Sequence, residues 1–211
     1  MEEELPPGAE KRIERARAEP RLRPTASIGH CFTEATLAQL QIGGDGLLSD
    51  PDVALFRSII RPLGRAIAFD DDEIGSVDPR IVPPMVIFTT AHVPWKPKLL
   101  PIPRAHYDKL LELLRARITW RVFEPAQGPY ANRWFTVPKK DRNLQIIQDL
   151  RPVNAVMIRN SGVAPILDDY AELFAARAIY SMADLFSSYD QFQLELASRE
   201  LTAMQTPLGL L

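Results

Sequence analysis

The sequence predicts an α+β fold, with helical segments upstream and short strands downstream. Tyr107, Leu110, Leu111, Leu114 and Ile118 recur at i, i+3, i+4, i+7 and i+11, the stripe of an amphipathic helix. Beyond Gly128 the texture changes to short apolar runs separated by polar turns. Trp134-Phe135-Thr136-Val137 and Leu144-Gln145-Ile146-Ile147-Gln148 flank the polar stretch Lys139–Asn143, which predicts a β-hairpin with a basic tip.

Residues 1–27 are charged and interrupted by proline. The stretch Glu10–Arg17 has almost no apolar face, so burial cannot offset its ordering entropy, and a flexible arm is expected. Residues 28–100 read as a mixed extension. Cys31 to Ala68 is weakly helical and broken at Gly43-Gly44-Asp45-Gly46. Leu55, Phe56, Ile59 and Ile60 share a helical face, with Asp50 as a candidate N-cap. Asp70-Asp71-Asp72-Glu73 is expected to be a solvated loop, because consecutive carboxylates do not converge on one ion. Pro83–Thr90 reads as a strand, and the prolines of His92–Lys98 dictate an extended path.

Downstream of the hairpin, Pro165–Arg177 reads as a helix with Tyr170, Leu173 and Phe174 facing inward. Ile179–Ala183 reads as a strand ending on Asp184. Phe192, Leu194 and Leu196 alternate with Gln193 and Glu195, the pattern of a half-exposed strand. Trp95, Trp120 and Trp134 are assigned to packing.

Composition excludes several classes. A hydrophobic fraction of 46% supports a core, and a net charge of −2 gives no overall polyanion-binding signature. Cys31, the single cysteine, excludes an intramolecular disulfide framework and repeated-cysteine zinc sites. His30, His92 and His106 are dispersed. No apolar run reaches the ~18–20 residues of a membrane span, and Met1-Glu2-Glu3-Glu4 is unlike a signal peptide. An intracellular location is therefore expected.

Two groups of residues carry chemistry. Arg133, Lys139, Lys140, Arg142, Arg151 and Arg159 outnumber Asp141 and Asp149 around the hairpin, a composition suited to phosphates. On charge alone, a solvated tip is the simpler account. Asp184, after an apolar run, is placed as a Mg²⁺ ligand could be, although an isolated Asp there is more often a cap or turn residue.

Taken in order, these blocks resemble the reverse transcriptases of gypsy-like long-terminal-repeat retrotransposons. The blocks are Trp134-Phe135-x-Val137-x-Lys139-Lys140-Asp141, Ile146-x-x-Asp149-Leu150-Arg151-Pro152-Val153-Asn154, Pro165-Ile166-Leu167-Asp168, Tyr180-Ser181-x-x-Asp184-Leu185, Ser187-x-Tyr189-x-Gln191 and Leu201-Thr202-Ala203-x-x-Thr206-Pro207-x-Gly209. The resemblance implies a partial reverse-transcriptase domain over residues 101–211, comprising the fingers and the start of the palm.

By that resemblance, Lys139 and Lys140 would close over an incoming dNTP, and Asp149, Arg151 and Asn154 would brace the fingers on the template side. Asp184 would be the first catalytic carboxylate, binding Mg²⁺ together with the Leu185 carbonyl. Tyr189 would lie under the deoxyribose and exclude a 2′-hydroxyl. An RNA or DNA primer–template would be the partner, in cytoplasmic particles or the nucleus. Gln145 stands where the family has a phosphate-contacting arginine, and a neutral amide cannot supply that charge-assisted contact. Arg142 and Ser188 replace customary glycines, and Met204 replaces a customary phenylalanine.

The family's Tyr-x-Asp-Asp hairpin follows the Thr-Pro-x-Gly segment, and residues 1–211 do not contain it. Asp184 alone cannot hold two Mg²⁺ ions about 3.5–4 Å apart, so no polymerase activity is expected from these residues alone. An uncovered palm face would favour association with a second chain. Besides a polymerase segment, two readings stay open: a non-catalytic nucleic-acid-binding or interaction module, and a retroelement remnant without selected function.

Overall fold

A computed structural model of the chain describes residues 4–23, 32–44, 46–66, 74–138, 144–159, 166–177, 180 and 187–211. Its helices are α1 (Ala9–Arg17), α2 (Glu34–Gln39), α3 (Asp50–Ile60), α4 (Tyr107–Thr119), α5 (Arg151–Val156), α6 (Leu167–Phe174) and α7 (Leu196–Arg199). Two antiparallel hairpins accompany them: β1 (Arg133–Pro138) with β2 (Leu144–Asp149), and β3 (Gln205–Thr206) with β4 (Gly209–Leu210). The α+β class holds.

The core forms where the α4 stripe meets the hairpins. Leu110 and Leu114 have 0% exposure and pack with Trp134, Met204 and Leu211. Ile102, Ile118, Phe123, Leu144 and Ile146 close around them. The Trp134 indole N–H donates to the Gln205 carbonyl at 2.7 Å, which satisfies the one polar atom this ring brings into the core. Met204 is fully buried, as its flexible unbranched side chain allows. The paired Met204 and Leu211 backbones exchange hydrogen bonds of 2.7 and 3.0 Å at the base of the β3–β4 hairpin. Its turn places Gly209 at φ 114°, where a side chain would be strained.

Asn132, with 0% exposure, ties the strand entry to this core. Its amide N–H₂ donates to the carbonyls of Leu201 and Ala203 at 2.8 and 2.9 Å, while its side-chain oxygen accepts from the Trp95 indole at 2.9 Å. The group is thus satisfied without water.

Several expectations need correction. Residues 4–23 of the expected flexible arm contain α1 and lie as a strap against the rest of the chain. Polar contacts hold it, which an apolar-face criterion cannot detect. The Arg12 guanidinium donates to both carboxylate oxygens of Glu195 at 2.6 and 2.5 Å. Arg17 donates to the Pro79 carbonyl, and the Leu196 amide donates to Glu19 at 2.8 Å.

Ser49, and not Asp50, caps α3; its backbone N–H donates to the Asp52 carboxylate at 3.1 Å. Pro51 fits within the first turn because no N–H is required there. On this helix Leu55, Phe56 and Ile59 are exposed.

Pro83–Thr90 runs extended but, among the described residues, pairs only through isolated bridges, Met85 with Leu194 and Thr89 with Met157. Phe192–Leu196 is likewise no continuous strand, and its expected faces are exchanged: Phe192 and Leu196 are exposed while Glu195 is buried against Arg12. An arginine partner reverses the usual polarity rule. The α6 side chains Tyr170, Leu173 and Phe174 do not face inward. They are exposed, with the Tyr170 and Phe174 rings 4.7 Å apart. The expected strand 179–183 and the loop 70–73 fall largely or wholly outside the described residues.

Candidate functional site

The β1–β2 hairpin is in regular register, from Arg133 opposite Asp149 to Pro138 opposite Leu144. Its tip, including Lys139 and Lys140, lies outside the described residues, as do Asp184 and Leu185. Gln145 sits opposite Val137, one pair from that tip.

At the far end of β2, Asp149 and Arg151 form a two-pronged ion pair. The guanidinium Nε and Nη2 donate to Oδ1 and Oδ2, each at 2.7 Å. The Arg151 backbone N–H donates to the same carboxylate at 3.2 Å, so Asp149 starts α5 as well. Chiefly the Arg151 side-chain hydrogen bonds hold the Asp149 carboxyl at about 2. Arg151 is exposed and Asp149 half-buried, and this geometry orders the junction without a large gain in stability. Buried Val153 anchors the short helix and leaves Asn154 on its exposed side.

Tyr189 is 90% exposed on a 3₁₀ turn, Ser188–Gln191. Ser187 enters the turn with φ 46°, a backbone region unusual for a non-glycine residue. The turn is fixed through Asp190. Its carboxylate pairs with Arg117 of α4 and accepts from the Ser187 hydroxyl at 2.8 Å, and its carbonyl accepts from Arg23 of the strap. Burial pushes the Arg23 guanidinium below its usual value, opposed by the charge of Asp190.

A cleft of about 560 Å³ joins these parts, with Gln148, Leu150, Tyr189 and Asp190 in its lining. The structure therefore brings the end of β2 and the Tyr189 turn to one opening. It brings Asp149 together with Arg151, while Asn154 stands apart on the exposed face of α5. Asp190, Arg117 and Arg23 were not singled out in the sequence. The Ser187-x-x-Asp190 spacing was the available signal, since such side chains bond locally.

In fold the chain resembles reverse transcriptases, and in sequence part of it is similar to a retroelement Pol polyprotein. No family model matches it. Over 113 residues, 51% of this chain and 9% of the relative, it is 23% identical to the retrovirus-related Pol polyprotein from transposon 412 of Drosophila melanogaster. The native prototype foamy virus protease-reverse transcriptase matches all of this chain and 24% of its own length, with a TM-score of 0.67 at 14% identity. The foamy viral protease-reverse transcriptase in complex with dsDNA matches with a TM-score of 0.65 at 12% identity, over all of this chain and 38% of its own. The chain thus spans a small part of each relative.

Among the described residues, no helix is long and apolar enough to cross a membrane.

Proposed function

We propose that the chain supplies the fingers and the entrance to the palm of a retroelement RNA-directed DNA polymerase, binding a nucleic-acid primer–template and an incoming dNTP. The observation that carries this reading is the shared cleft, lined both by the end of β2 and by an exposed Tyr189. The dsDNA complex of the foamy viral relative supports a nucleic-acid partner. In this reading Lys139 and Lys140 contact the nucleotide phosphates, Asp149, Arg151 and Asn154 shape the template side, and Tyr189 packs under the sugar. A ribonucleotide would be rejected because its 2′-hydroxyl meets the tyrosine ring.

The reading implies Mg²⁺, for which Asp184 and the Leu185 carbonyl would be ligands. Among the described residues no three His, Cys, Asp or Glu side chains converge to hold a metal. Nucleotidyl transfer by residues 1–211 alone is not expected. The exposed apolar side chains of α3 and α6 support association with a further polypeptide.

The test measures binding of the chain to a primed template across a salt series, together with Mg²⁺-dependent dNTP incorporation. Binding that weakens with salt, and weakens further in Lys139→Gln/Lys140→Gln, is the expected result. Absence of salt-sensitive binding overturns the reading, and incorporation by the chain alone overturns the expected inactivity.

A further inference from the structure

Beside the β1–β2 hairpin, His92, Trp95 and Tyr130 form one cluster of rings. Their centroids lie 5.5 Å apart for His92–Trp95, 5.7 Å for His92–Tyr130 and 4.8 Å for Trp95–Tyr130. Each heteroatom in the cluster has a partner within the chain. His92 Nδ1 lies 2.7 Å from the Thr90 carbonyl, an acceptor only, so Nδ1 carries the proton. In the neutral ring Nε2 is then an acceptor, and the Tyr130 hydroxyl donates to it at 2.9 Å. The Trp95 N–H donates to buried Asn132. The three rings are half-buried, so part of their surface remains open to solvent.

Positive charge flanks these rings. Lys96 and Lys98 are exposed on the same extended segment and form no ion pair with a described residue. Two residues apart on an extended path, they stand roughly 6–7 Å from each other along it. Arg133 donates through Nε to the Lys98 carbonyl at 2.9 Å, which brings a third cation to the segment's end. Fixed aromatic surface beside a row of cations is the composition that holds an unpaired strand, with bases stacking on the rings and phosphates meeting the cations. A duplex keeps its base faces internal and cannot use the rings.

We propose that residues 92–98, with Tyr130 and Arg133, form a track for single-stranded nucleic acid, in which a base stacks on the His92–Trp95–Tyr130 cluster and Lys96 and Lys98 hold the adjacent phosphates. The track is separate from the hairpin tip. Assigning its strand as the unpaired template ahead of the primer rests on the polymerase reading.

Fluorescence anisotropy with the full chain tests this, using a labelled single-stranded oligonucleotide and a blunt duplex of equal length. Wild type is compared with His92→Ala, Lys96→Gln/Lys98→Gln and Tyr130→Phe, each checked for an unchanged thermal transition. His92→Ala and the double lysine variant should each weaken single-strand binding about five- to tenfold. They should change duplex binding less than twofold, and Tyr130→Phe, which keeps the ring, should bind as wild type. The double variant should also lower the single-strand salt slope by about 1.4, or ~0.7 for each lost phosphate contact. Unchanged single-strand binding, or equal losses on strand and duplex, overturns the proposal. If wild type binds the primed template while these variants behave like it, the track alone is lost. If wild type binds no nucleic acid, the polymerase reading falls with it.

Discussion

Around α4, Leu110, Leu114, Trp134, Met204 and Leu211 hold distant parts of the chain together by excluding water. Around α1, Arg12, Arg17 and Arg23 join the strap to the rest of the molecule by directed hydrogen bonds. The first arrangement depends on shape and apolar area. The second depends on charge, and Arg23 carries it directly to the turn that presents Tyr189. Two regions of one chain are thus fastened by different physics, and they should fail under different conditions.

The core should give the largest effect. Leu110→Ala removes a fully buried side chain and should cost about 2–5 kcal/mol, read as a lower urea midpoint for the cooperative transition. A loss below about 1 kcal/mol would mean that α4 is not the centre of the core.

The strap should come next. Arg12→Ala leaves the Glu195 carboxylate buried without its main partner, at a cost of about 1–3 kcal/mol. Limited proteolysis should then cut within residues 4–23 while the region from α4 through β2 stays protected. Equal protection throughout would show that the strap does not depend on this pair.

Acid separates the two regions without mutation. Arg12 above all, and also Ser198, lowers the Glu195 pKa, so the folded state holds the proton less tightly than the unfolded chain. The resulting stabilisation is complete above the unfolded glutamate value of about 4.3 and is lost as pH falls through the lowered folded value. Hydrogen exchange in α1 should accelerate over that acidic window, before exchange in α4 does. Simultaneous loss of protection would contradict the comparison.

Arg151→Ala should have the smallest effect on stability, because the guanidinium is solvent-exposed. Its signature is electrostatic. The Asp149 carboxyl, held at about 2, should titrate nearer the ordinary aspartate value of about 3.9 once the guanidinium is gone. NMR-detected titration of the side-chain carboxyl carbon reads the shift directly, and an unmoved midpoint would assign the depression to another group.

Much of the core was legible because its signals are local and periodic. The α4 stripe and the paired runs around Lys139–Asn143 specify a helix and a hairpin from spacing alone, and Trp134 and Leu114 are buried as that spacing requires. Asp149 and Arg151 were visible as members of a contiguous block, whereas their ion pair was not. Periodicity failed where a distant partner decides burial. Glu195 occupies an inward position because Arg12 reaches it from 183 residues away in sequence. Phe192 and Leu196 turn outward in the same segment. The aromatic stripe of α6 has the period of a core helix, yet Tyr170, Leu173 and Phe174 are exposed, because amphipathicity states that a face prefers cover and not that cover is present.

By itself, then, the sequence determined the α+β class, the helix and hairpin at the centre, and the resemblance that points to Tyr189. The tertiary structure decided that residues 4–23 are a strap, that Asp190 is shared between Arg117 and Arg23, and that the rings at 92, 95 and 130 meet. The physical reason is range. Apolar periodicity is written within one turn or one strand, whereas a hydrogen bond between two polar side chains exists only once the fold has brought them within about 3 Å of each other.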